Sequence, residues 1–392
     1  MRAFRGGGAA LRFLFTSHPL DGHVRPLIRY ATALRDAGHD VRVAAQERGR
    51  ALIEKHDLDF VCLPEAPEDE VARAMALLDA SKGRDGFTVG MQELFGGVLA
   101  RALLPRLEAE ITAWKPDLVV HEATEFAGRV AAEKYGVPCV SVAILATGCI
   151  AEYAVELDET HRLLRRFAGL NEPPPAGAEP VLTAFPAGFD GEASILGAEP
   201  IRIGQSEPPT LPVDGDEAWL PEPGEMLVYL TLGTAAGRTD KSRAAYHMAL
   251  DVLADQPVKV LLTLGPTMDP ALLEPFPENV VVETFVPQTK VFSVASAIVH
   301  HGGSGTTLGA LAAAVPQVIM PLFADQPFNA QALAASGVGL AVEHDDPDAL
   351  RRAVETVLAD VEIHARCVTI AEEMAGMPGV SFAVETLEQL AR

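Results

Sequence analysis

The stretch His300-His301-Gly302-Gly303-Ser304-Gly305-Thr306-Thr307 follows a short apolar run, Ala297-Ile298-Val299, and opens a segment of small residues at positions 307–314. This order predicts a buried parallel strand, a glycine-rich turn and the start of a helix. Free backbone N–H groups and the positive end of the helix dipole then lie at one spot, which suits a phosphate group. The threonines add hydroxyl donors, and His301 adds a ring N–H or a positive charge. Alone, such a turn also joins strand to helix in many α/β proteins without binding a ligand.

Length and charge limit the classes of protein to which this chain belongs. Its 392 residues are long for one hydrophobic core and natural for two domains, and 48% of them are hydrophobic. The 31 Lys and Arg residues against 54 Asp and Glu residues give a formal net charge of -23, which argues against a nucleic-acid partner. An anionic ligand such as a nucleotide-sugar must therefore be attracted locally, against the field of the whole chain.

The cysteines and the amino-terminal segment indicate the compartment. The four cysteines are scattered, without a C-x-x-C pair or a zinc-type spacing: Cys62, Cys139, Cys149 and Cys367. This pattern is typical of reduced thiols. The apolar run at residues 11–15 is too short for a signal peptide, and no window reaches the roughly 18 apolar residues of a membrane span. We expect a soluble cytoplasmic protein without a membrane span.

Strand and helix patterns alternate along the first half of the chain. Apolar strand patterns occur at residues 11–16, 40–45, 59–63, 117–121 and 139–144, and helical patterns at residues 24–37, 98–114 and 126–135. Such alternation predicts right-handed βαβ units and a parallel sheet. Residues 65–97 lose the pattern, and we interpret them as a loose stretch that covers a ligand site or forms a surface excursion.

A proline-rich and acidic stretch separates the two halves. Residues 203–224 are rich in Pro, Asp, Glu and Gly and have no periodicity, which is typical of a linker. A second α/β pattern follows, with strand patterns at residues 226–232, 258–264, 280–285, 298–301, 317–320 and 340–343. The predicted fold class is therefore α/β, with two Rossmann-like, doubly wound parallel-sheet domains.

The sequence on both sides of the glycine-rich turn resembles a known family. Phe285-Val286-Pro287-Gln288 precedes the turn, and Pro321-Leu322-Phe323-Ala324-Asp325-Gln326-Pro327-Phe328-Asn329-Ala330 follows it. Together with the turn they resemble the donor signature of the family-1 glycosyltransferases, specifically the bacterial branch that decorates polyketides, macrolide-type antibiotics and other natural products. The resemblance implies the glycosyltransferase B fold (GT-B), in which two domains face each other across a cleft.

The same resemblance implies domain limits. We expect an acceptor-binding N-terminal domain at residues 1–204, a linker at 205–224 and a nucleotide-sugar-binding C-terminal domain at 225–377. The terminal helix, at residues 378–392, is expected to pack back on the N-terminal domain. Periodicity alone does not predict that crossing.

Several strand ends are expected to converge on one nucleotide, because open α/β sheets bind ligands beyond the carboxyl ends of their strands. The resemblance implies that Gly233-Thr234 and the turn from His301 to Thr306 bind the diphosphate. It places the ring of Phe285, followed by Val286, against the base, and Asp325-Gln326 on the sugar hydroxyls. The alternatives are that Phe285 belongs to the core and that Asp325 caps a helix.

One position departs from the family pattern. In members that use uridine donors a Glu, eight positions after the histidine of the turn, hydrogen-bonds the ribose; here that position is Gly309. A 2′-deoxyribose does not need that partner, so we infer a TDP-sugar donor, with a UDP-sugar as the alternative. The sequence around the diphosphate residues has no metal-ligand cluster and no carboxylate pair. We expect neither a metal nor a cofactor, since helix ends and His301 can receive the charge of the leaving group.

The segment after the first strand, His18-Pro19-Leu20-Asp21-Gly22-His23-Val24-Arg25-Pro26, contains the candidate base. The family's general base is the histidine followed by two residues and then proline, which is His23 here. An imidazole is suited to take a proton near neutral pH. His18 is the alternative. The family position that supports the base is the end of the fourth strand pattern, often Asp and here Glu122, with Glu125 as the other candidate.

These residues predict an inverting glycosyltransferase of the hexosyltransferase type, which moves a deoxysugar from a TDP-sugar to a hydroxyl of a hydrophobic aglycone. Met, Leu, Phe and Ile side chains at residues 75–99 and 147–153 are the candidate acceptor surface. Three alternatives stay open: C-glycosylation of an aromatic aglycone, a nucleotide-sugar epimerase, and a non-catalytic glycosyltransferase-like helper. The expected partners are the nucleotide-sugar and the aglycone, while a homodimer and an auxiliary activator protein are left open.

Overall fold

The computed structural model describes residues 9–81, 83–172, 179–191, 199–204, 210–213, 217–233, 239–266, 268–323 and 325–392. The chain divides into two units. The first comprises Met1–Ala184, Ala193–Ser206 and Pro378–Arg392, and the second comprises Phe185–Glu192 and Glu207–Met377. Each unit is built on its own parallel sheet, which confirms the predicted fold class.

Strands and helices alternate in the first unit; its first five strands match the predicted apolar runs, whereas the strands at Val181–Thr183 and Ile201–Arg202 and the helix at Ala154–Phe167 were not predicted. The strands are β1 (Arg12–Thr16), β2 (Asp40–Gln46), β3 (Asp59–Leu63), β4 (Leu118–Glu122), β5 (Cys139–Val142), β6 (Val181–Thr183) and β7 (Ile201–Arg202). The helices are α1 (Asp21–Asp36), α2 (Arg50–Glu54), α3 (Glu68–Ala80), α4 (Gly83–Val89), α5 (Ala100–Trp114), α6 (Phe126–Lys134), α7 (Thr147–Glu152) and α8 (Ala154–Phe167). The sheet order is β3-β2-β1-β4-β5-β6-β7, with parallel neighbours throughout.

Both faces of the central strand β1 are buried, which explains its uninterrupted apolar sequence. Phe13 and Phe15 point to one face and pack in a cluster with Leu27 of α1. Leu14 points to the other face and packs in a second cluster with Leu107 of α5, because successive residues of a strand alternate between faces. Helices therefore cover the sheet on both sides, and its carboxyl edge is where ligands are expected.

The prediction of a loose stretch at residues 65–97 is wrong, since this part of the chain is helical. After α3 and α4 comes a π-helical segment, Gly90–Leu99, that runs directly into α5. The i→i+5 bonding of a π-helix displaces side chains from the 3.6-residue period that pattern reading tests. Five glycines further lower the apparent helix propensity: Gly83, Gly86, Gly90, Gly96 and Gly97.

The second unit repeats the alternation with different lengths. Its helices are α9 (Ala187–Asp190), α10 (Asp240–Ala254), α11 (Gln288–Val291), α12 (Ser304–Ala312), α13 (Gln326–Ser336), α14 (Pro347–Ala359) and α15 (Val361–Gly376). Its strands are β8 (Leu227–Thr231), β9 (Lys259–Thr263), β10 (Val280–Glu283), β11 (Ala297–His300), β12 (Gln317–Ile319) and β13 (Gly339–Ala341). They form a parallel sheet in the order β10-β9-β8-β11-β12-β13.

The boundary between the units differs from the expected limits in two places. Helix α9 belongs to the second unit, where the backbone N–H of Gly188 donates to the Glu373 carboxylate of α15 at 3.1 Å. Within the expected linker, Trp219 is 1% exposed and packs in the core of the second unit. A long apolar side chain thus ties this irregular stretch to one unit, which composition alone does not reveal.

The C-terminal helix, α16 (Val380–Leu390), belongs to the first unit. Ala383 and Leu387 lie in the same buried cluster as Leu27 of α1. His39 contacts the Glu388 carboxylate at 2.9 Å. Among the described residues, no helix combines the length and the apolar character needed to cross a membrane.

Candidate active site

The candidate base of the first unit lies at the switch point of its sheet. Strands β1 and β4 are neighbours, and the strands that follow each of them continue in opposite directions across the sheet. Such a point opens a crevice at the carboxyl ends of the two strands. Helix α1 starts at Asp21, so His23 lies in its first turn, and β4 ends at Glu122. The two residues are therefore brought together from 99 positions apart along the chain.

His23 and Glu122 form a direct pair. His23 Nδ1 lies 2.9 Å from Glu122 Oε1, and the two side chains are 16% and 0% exposed. A carboxylate on Nδ1 favours the tautomer with the proton on that nitrogen, which makes Nε2 the basic one. The longer arm of Glu relative to Asp does not prevent the contact. The arrangement is that of an imidazole oriented by a carboxylate for proton transfer.

Glu122 is held as a carboxylate by several donors. Burial by itself raises its pKa, but the charge of His23 and the hydrogen bond to it outweigh burial and lower the pKa to about 2. Thr124 donates its backbone N–H at 2.7 Å and its hydroxyl at 2.9 Å. Thr124 was not singled out in the sequence, because a Glu-x-Thr spacing has no distinctive meaning until the fold places it beside the base.

Glu125, the other candidate partner for the base, has a different task. Its carboxylate caps α6, accepting the backbone N–H of Ala127 at 2.8 Å and that of Gly128 at 2.9 Å, and the hydroxyl of Thr16 donates to it. Burial raises the pKa of Glu125. Helix N-termini favour such a carboxylate, so Glu125 stabilises α6 and does not contact His23 in the described contacts.

Two rings pack around His23. His18 is 2% exposed, its Nε2 lies 3.2 Å from the Thr124 carbonyl oxygen, and burial lowers its pKa to about 4. His18 therefore stays neutral near pH 7. Phe95, from the π-helical segment, stacks on His23 with ring centroids 6.1 Å apart and an interplanar angle of 22°. The sequence placed Phe95 only within the broad apolar acceptor surface at residues 75–99, because its contact with His23 has no signal in the residue pattern.

The second unit places its glycine-rich turn at the corresponding switch point. Strands β8 and β11 are neighbours, with Thr231 paired to His300 in register. Gly233 follows β8, and the turn from His301 to Gly303 follows β11 and leads into α12. The predicted partner Thr234 lies outside the described residues. The first-turn N–H groups of α12 have no intrahelical partner and are oriented for an anion.

The ring of His301 lies against two glycines. A Cβ at Gly233 would sit 2.7 Å from His301 Cε1, and a Cβ at Gly303 would sit 2.5 Å from His301 Nε2. Gly233 also has φ +81°, a conformation that glycine adopts without strain. Burial lowers the pKa of His301 to about 4. Of the two contributions considered for this ring, an N–H or a positive charge, the lowered pKa favours the N–H in the ligand-free protein.

The threonine hydroxyls of the turn are engaged inside the protein. Gln288 Nε2 donates to Thr306 Oγ1 at 3.1 Å, and Thr307 Oγ1 donates to the Gly303 carbonyl at 3.1 Å. Both threonines are buried. The Thr307 hydroxyl thus donates within the turn and not to a ligand, whereas Thr306 accepts from Gln288, and its contact with the diphosphate stays a prediction.

The remaining donor-side residues differ in accessibility. Phe285 is 72% exposed, so it is not a core residue, whereas Val286 is 8% exposed and packs in the core. Asp325 accepts Ser304 Oγ at 3.0 Å and does not cap α13. Gln326 is 3% exposed, and its Oε1 accepts the backbone N–H groups of residues 322 and 323, which leaves its Nε2 for a ligand. The exposed ring and the acidic side chain are thus suited to a base and a sugar.

Gly309 has a packing reason to be glycine. A Cβ at this position of α12 would lie 2.7 Å from Phe292 Cε2, and Phe292 is 4% exposed in the core of the second unit. The aromatic ring fills the space that a longer side chain at position 309 would enter. Only the packed structure shows this contact, since Gly309 lies in α12 and Phe292 in the turn that follows α11.

Three side chains of the first unit have metal-ligating chemistry, with ligand atoms within 4.8 Å of one another: His121, Cys139 and Glu179. His121 Nε2 already lies 2.6 Å from Glu179 Oε1, and Arg129 Nε lies 3.0 Å from the other oxygen of that carboxylate. A guanidinium on the carboxylate disfavours a nearby divalent cation, so these residues suit an ion pair better than a metal centre.

The buried histidines of the second unit predict loss of stability in acid. Burial, the largest cause, lowers the pKa of His300 to about 3 and that of His301 to about 4. The unfolded chain takes up these protons at pH 6.5, the ordinary value, while the folded unit does not. Stability is therefore fully present above pH 6.5 and falls as the pH decreases towards 4, by about 1.4 kcal/mol per pH unit for each histidine.

Urea unfolding of the full chain carrying Trp114→Phe measures this effect, because Trp219 in the second unit is then the remaining tryptophan of the two. We expect His300→Gln to reduce the slope of the unfolding free energy against pH between pH 6.5 and pH 4. His247→Gln changes an exposed histidine of the same unit and should keep the original slope. Equal slopes for wild type and His300→Gln would contradict the assignment of a neutral buried imidazole.

Comparisons with known proteins bear on this geometry. The two domains of a family described as Erythromycin biosynthesis protein CIII-like match residues 32–185 and residues 247–390. The L-demethylnoviosyl transferase of Streptomyces niveus is 31% identical over 387 residues, covering 96% of this chain and 97% of the relative. The crystal structure of the glycosyltransferase SnogD from Streptomyces nogalater is 26% identical with a TM-score of 0.75, covering 98% of this chain and 100% of that protein.

A further solved structure has a nucleotide bound. The spinosyn rhamnosyltransferase SpnG complexed with thymidine diphosphate has a TM-score of 0.77 at 20% identity, covering 96% of this chain and 100% of that protein. At this identity the likeness concerns the fold. The similarity in both cases extends over nearly the whole length of each chain.

Proposed function

Because this chain belongs to the erythromycin biosynthesis protein CIII-like family of glycosyltransferases, we propose that it moves a deoxysugar from a TDP-sugar to a hydroxyl group of a hydrophobic natural-product aglycone, with inversion at the anomeric carbon. The resemblance identified in the sequence is thereby confirmed at the level of the antibiotic glycosyltransferases of GT-B fold. The observation that supports the proposed chemistry best is the 2.9 Å contact of His23 Nδ1 with Glu122.

The proposed reaction is a single displacement. His23 Nε2 takes the proton of the acceptor hydroxyl while its oxygen attacks the anomeric carbon, and the bond from that carbon to the diphosphate oxygen breaks. The nucleoside diphosphate leaves with the electron pair, so attack from the opposite side inverts the configuration. Glu122 stabilises the imidazolium that forms, because a buried carboxylate beside it offsets the new charge.

The leaving group is received by the second unit. The backbone N–H groups at the start of α12 and the N–H of His301 are the proposed donors to the diphosphate. A chain with a formal net charge of -23 repels this anion at long range, so the attraction has to be local. The exposed ring of Phe285 is the proposed platform for the base, and Asp325 is the proposed partner of the sugar hydroxyls.

The nucleotide is proposed to be TDP. The absence of a ribose-binding Glu at Gly309 supports it, and so does the thymidine diphosphate bound to the related fold of SpnG. The contact of Gly309 with Phe292 gives a second reason for the glycine, because a longer side chain there would displace a core ring. The missing Glu and the packing of Phe292 against Gly309 are both compatible with a donor site in which position 309 makes no hydrogen bond to a 2′-hydroxyl.

We expect TDP to stabilise the protein more than UDP when both are titrated at equal concentration in a thermal-shift assay. A ligand that binds only the folded state raises the free energy of unfolding by an amount set by the ratio of ligand concentration to Kd. At a concentration of one hundred times Kd the increase is about 2.7 kcal/mol. CMP at the same concentration serves as a nucleotide control. A larger shift with UDP would contradict the TDP assignment, and no shift with either nucleotide would contradict the donor site itself.

A further inference from the structure

A cavity in the first unit, distinct in its lining from the His23–Glu122 pair, has an apolar wall and a charged end. Its volume is about 40 Å³, and its apolar lining comprises Phe87, Met91, Phe126, Leu145, Ile150 and Leu157. At about 10–15 Å³ for each water, such a space holds roughly three or four non-hydrogen atoms. It can therefore take the edge of a ring with its substituent and not a whole aglycone.

The charged end of the cavity is a triad of side chains in which His121 and Glu179 are almost fully enclosed and Arg129 is 25% exposed. Glu179 holds His121 Nε2 at 2.6 Å with one oxygen and Arg129 Nε at 3.0 Å with the other. His121 Nδ1 lies 3.0 Å from the Glu122 carbonyl oxygen and donates to it. Burial alone lowers the pKa of His121, but the charge and hydrogen bond of Glu179 outweigh burial and raise it, and the same neighbours lower the pKa of Glu179 to about 2.

This triad is costly as a purely structural element. Taking the Glu179 carboxylate and its His121 partner out of water carries a desolvation penalty that their pairing repays only in part, so apolar residues would stabilise the fold as well or better. All three side chains line the cavity, and so does Ser141, which is 7% exposed. A group that enters the cavity thus meets a carboxylate, a guanidinium and a hydroxyl in a space with otherwise apolar walls.

The chemistry of this end selects among possible substituents. A hydroxyl group both donates and accepts, so it can donate to Glu179 and accept from Arg129 or Ser141. An ether of the same size can accept from Arg129 or Ser141, but it has no proton to donate to Glu179. We propose that the cavity binds the hydroxyl-bearing edge of an acceptor ring, a phenol-like end that does not itself react. This proposal rests on the proposed function, since it names the acceptor of the same reaction.

The position of the cavity explains what such binding achieves. Thr124 lines the cavity, and its hydroxyl donates to the Glu122 carboxylate that orients His23. A ring anchored at the triad therefore rests against the loop that supports the base. Binding a second, unreactive hydroxyl there fixes the orientation of the acceptor. A fixed orientation raises the reaction rate because the reacting hydroxyl is then held in the geometry of attack.

Calorimetric titration of the full chain with two matched probes tests the proposal. We expect 2-naphthol to bind at least tenfold more tightly than 2-methoxynaphthalene, because the ether has no proton to donate to Glu179. Two variants should each raise the Kd for 2-naphthol at least tenfold. Ser141→Val narrows the cavity and keeps the triad intact, and Arg129→Lys replaces the planar guanidinium by a single ammonium group.

The controls separate this proposal from the proposed function. Arg106→Lys changes an arginine outside the cavity and should bind 2-naphthol as the wild type does. His23→Ala should also bind 2-naphthol normally, since the base is not part of the cavity. Equal binding of naphthol and its ether, no binding of either, or full affinity in folded Ser141→Val protein would overturn the proposal. Retained transfer activity in His23→Ala would instead overturn the proposed mechanism and leave the cavity assignment standing.

Discussion

His23→Ala is expected to lower kcat/KM for sugar transfer by about 10²–10⁴-fold, the range typical of a lost general base. The reason is the geometry of the pair: His23 is the imidazole whose Nδ1 is bound 2.9 Å from a fully buried carboxylate. Without it the acceptor hydroxyl must lose its proton to water. The assay uses a TDP-deoxysugar with a hydrophobic hydroxylated aglycone, with the anomeric configuration of the product determined by NMR.

Controls in the same unit make this result specific. His56→Ala removes a histidine that lies outside the site and should keep full activity. Glu122→Gln keeps an acceptor for Nδ1–H but removes the charge, so its activity should lie between wild type and His23→Ala. The thermal shift caused by TDP should be the same in all three variants, since they leave the donor residues unchanged. Normal turnover by folded His23→Ala protein would refute the assignment, and a product with retained configuration would refute the single displacement.

Gly303→Ala is expected to raise the Kd for TDP at least tenfold. A Cβ at this position would lie 2.5 Å from His301 Nε2 and 2.9 Å from Cε1, closer than atoms approach without displacement. Because the ring also lies against Gly233, it cannot move away without disturbing the turn on the other side. The backbone of Gly303 has φ -64°, which alanine adopts readily, so the effect isolates the side-chain contact.

Gly305→Ala is the matched control for this variant. It lies two residues further along the same turn, and a Cβ there meets nothing within 4 Å. Calorimetric titration with TDP should give a wild-type Kd for Gly305→Ala and a weaker one for Gly303→Ala. If both variants bind TDP equally well, the contact of His301 with the glycines does not shape the donor site.

Local residue patterns predicted much of the architecture. The alternation of apolar strands with amphipathic helices is enough to predict two parallel sheets. The apolar positions of each element indicate which of its faces is buried, and buried strands joined by helices form parallel sheets. The glycine-rich turn and the histidine segment after β1 were recognisable because each is a contiguous run of residues. The π-helical segment at Gly90–Leu99 was not predicted, since its hydrogen-bonding period is not the one that pattern reading tests.

The roles of single side chains depended on contacts that the sequence does not contain. Glu122 and Glu125 are three residues apart and equivalent in the sequence, yet one orients His23 and the other caps α6. The charge state of His301 depended likewise on its burial between glycines. Such contacts are decided by the order of strands in the sheet, which brings residues 99 positions apart within hydrogen-bonding distance. The sequence by itself thus determined most of the elements, the family and the candidate residues, while the tertiary structure decided their partners, because burial and long-range pairing exist only once the chain is packed.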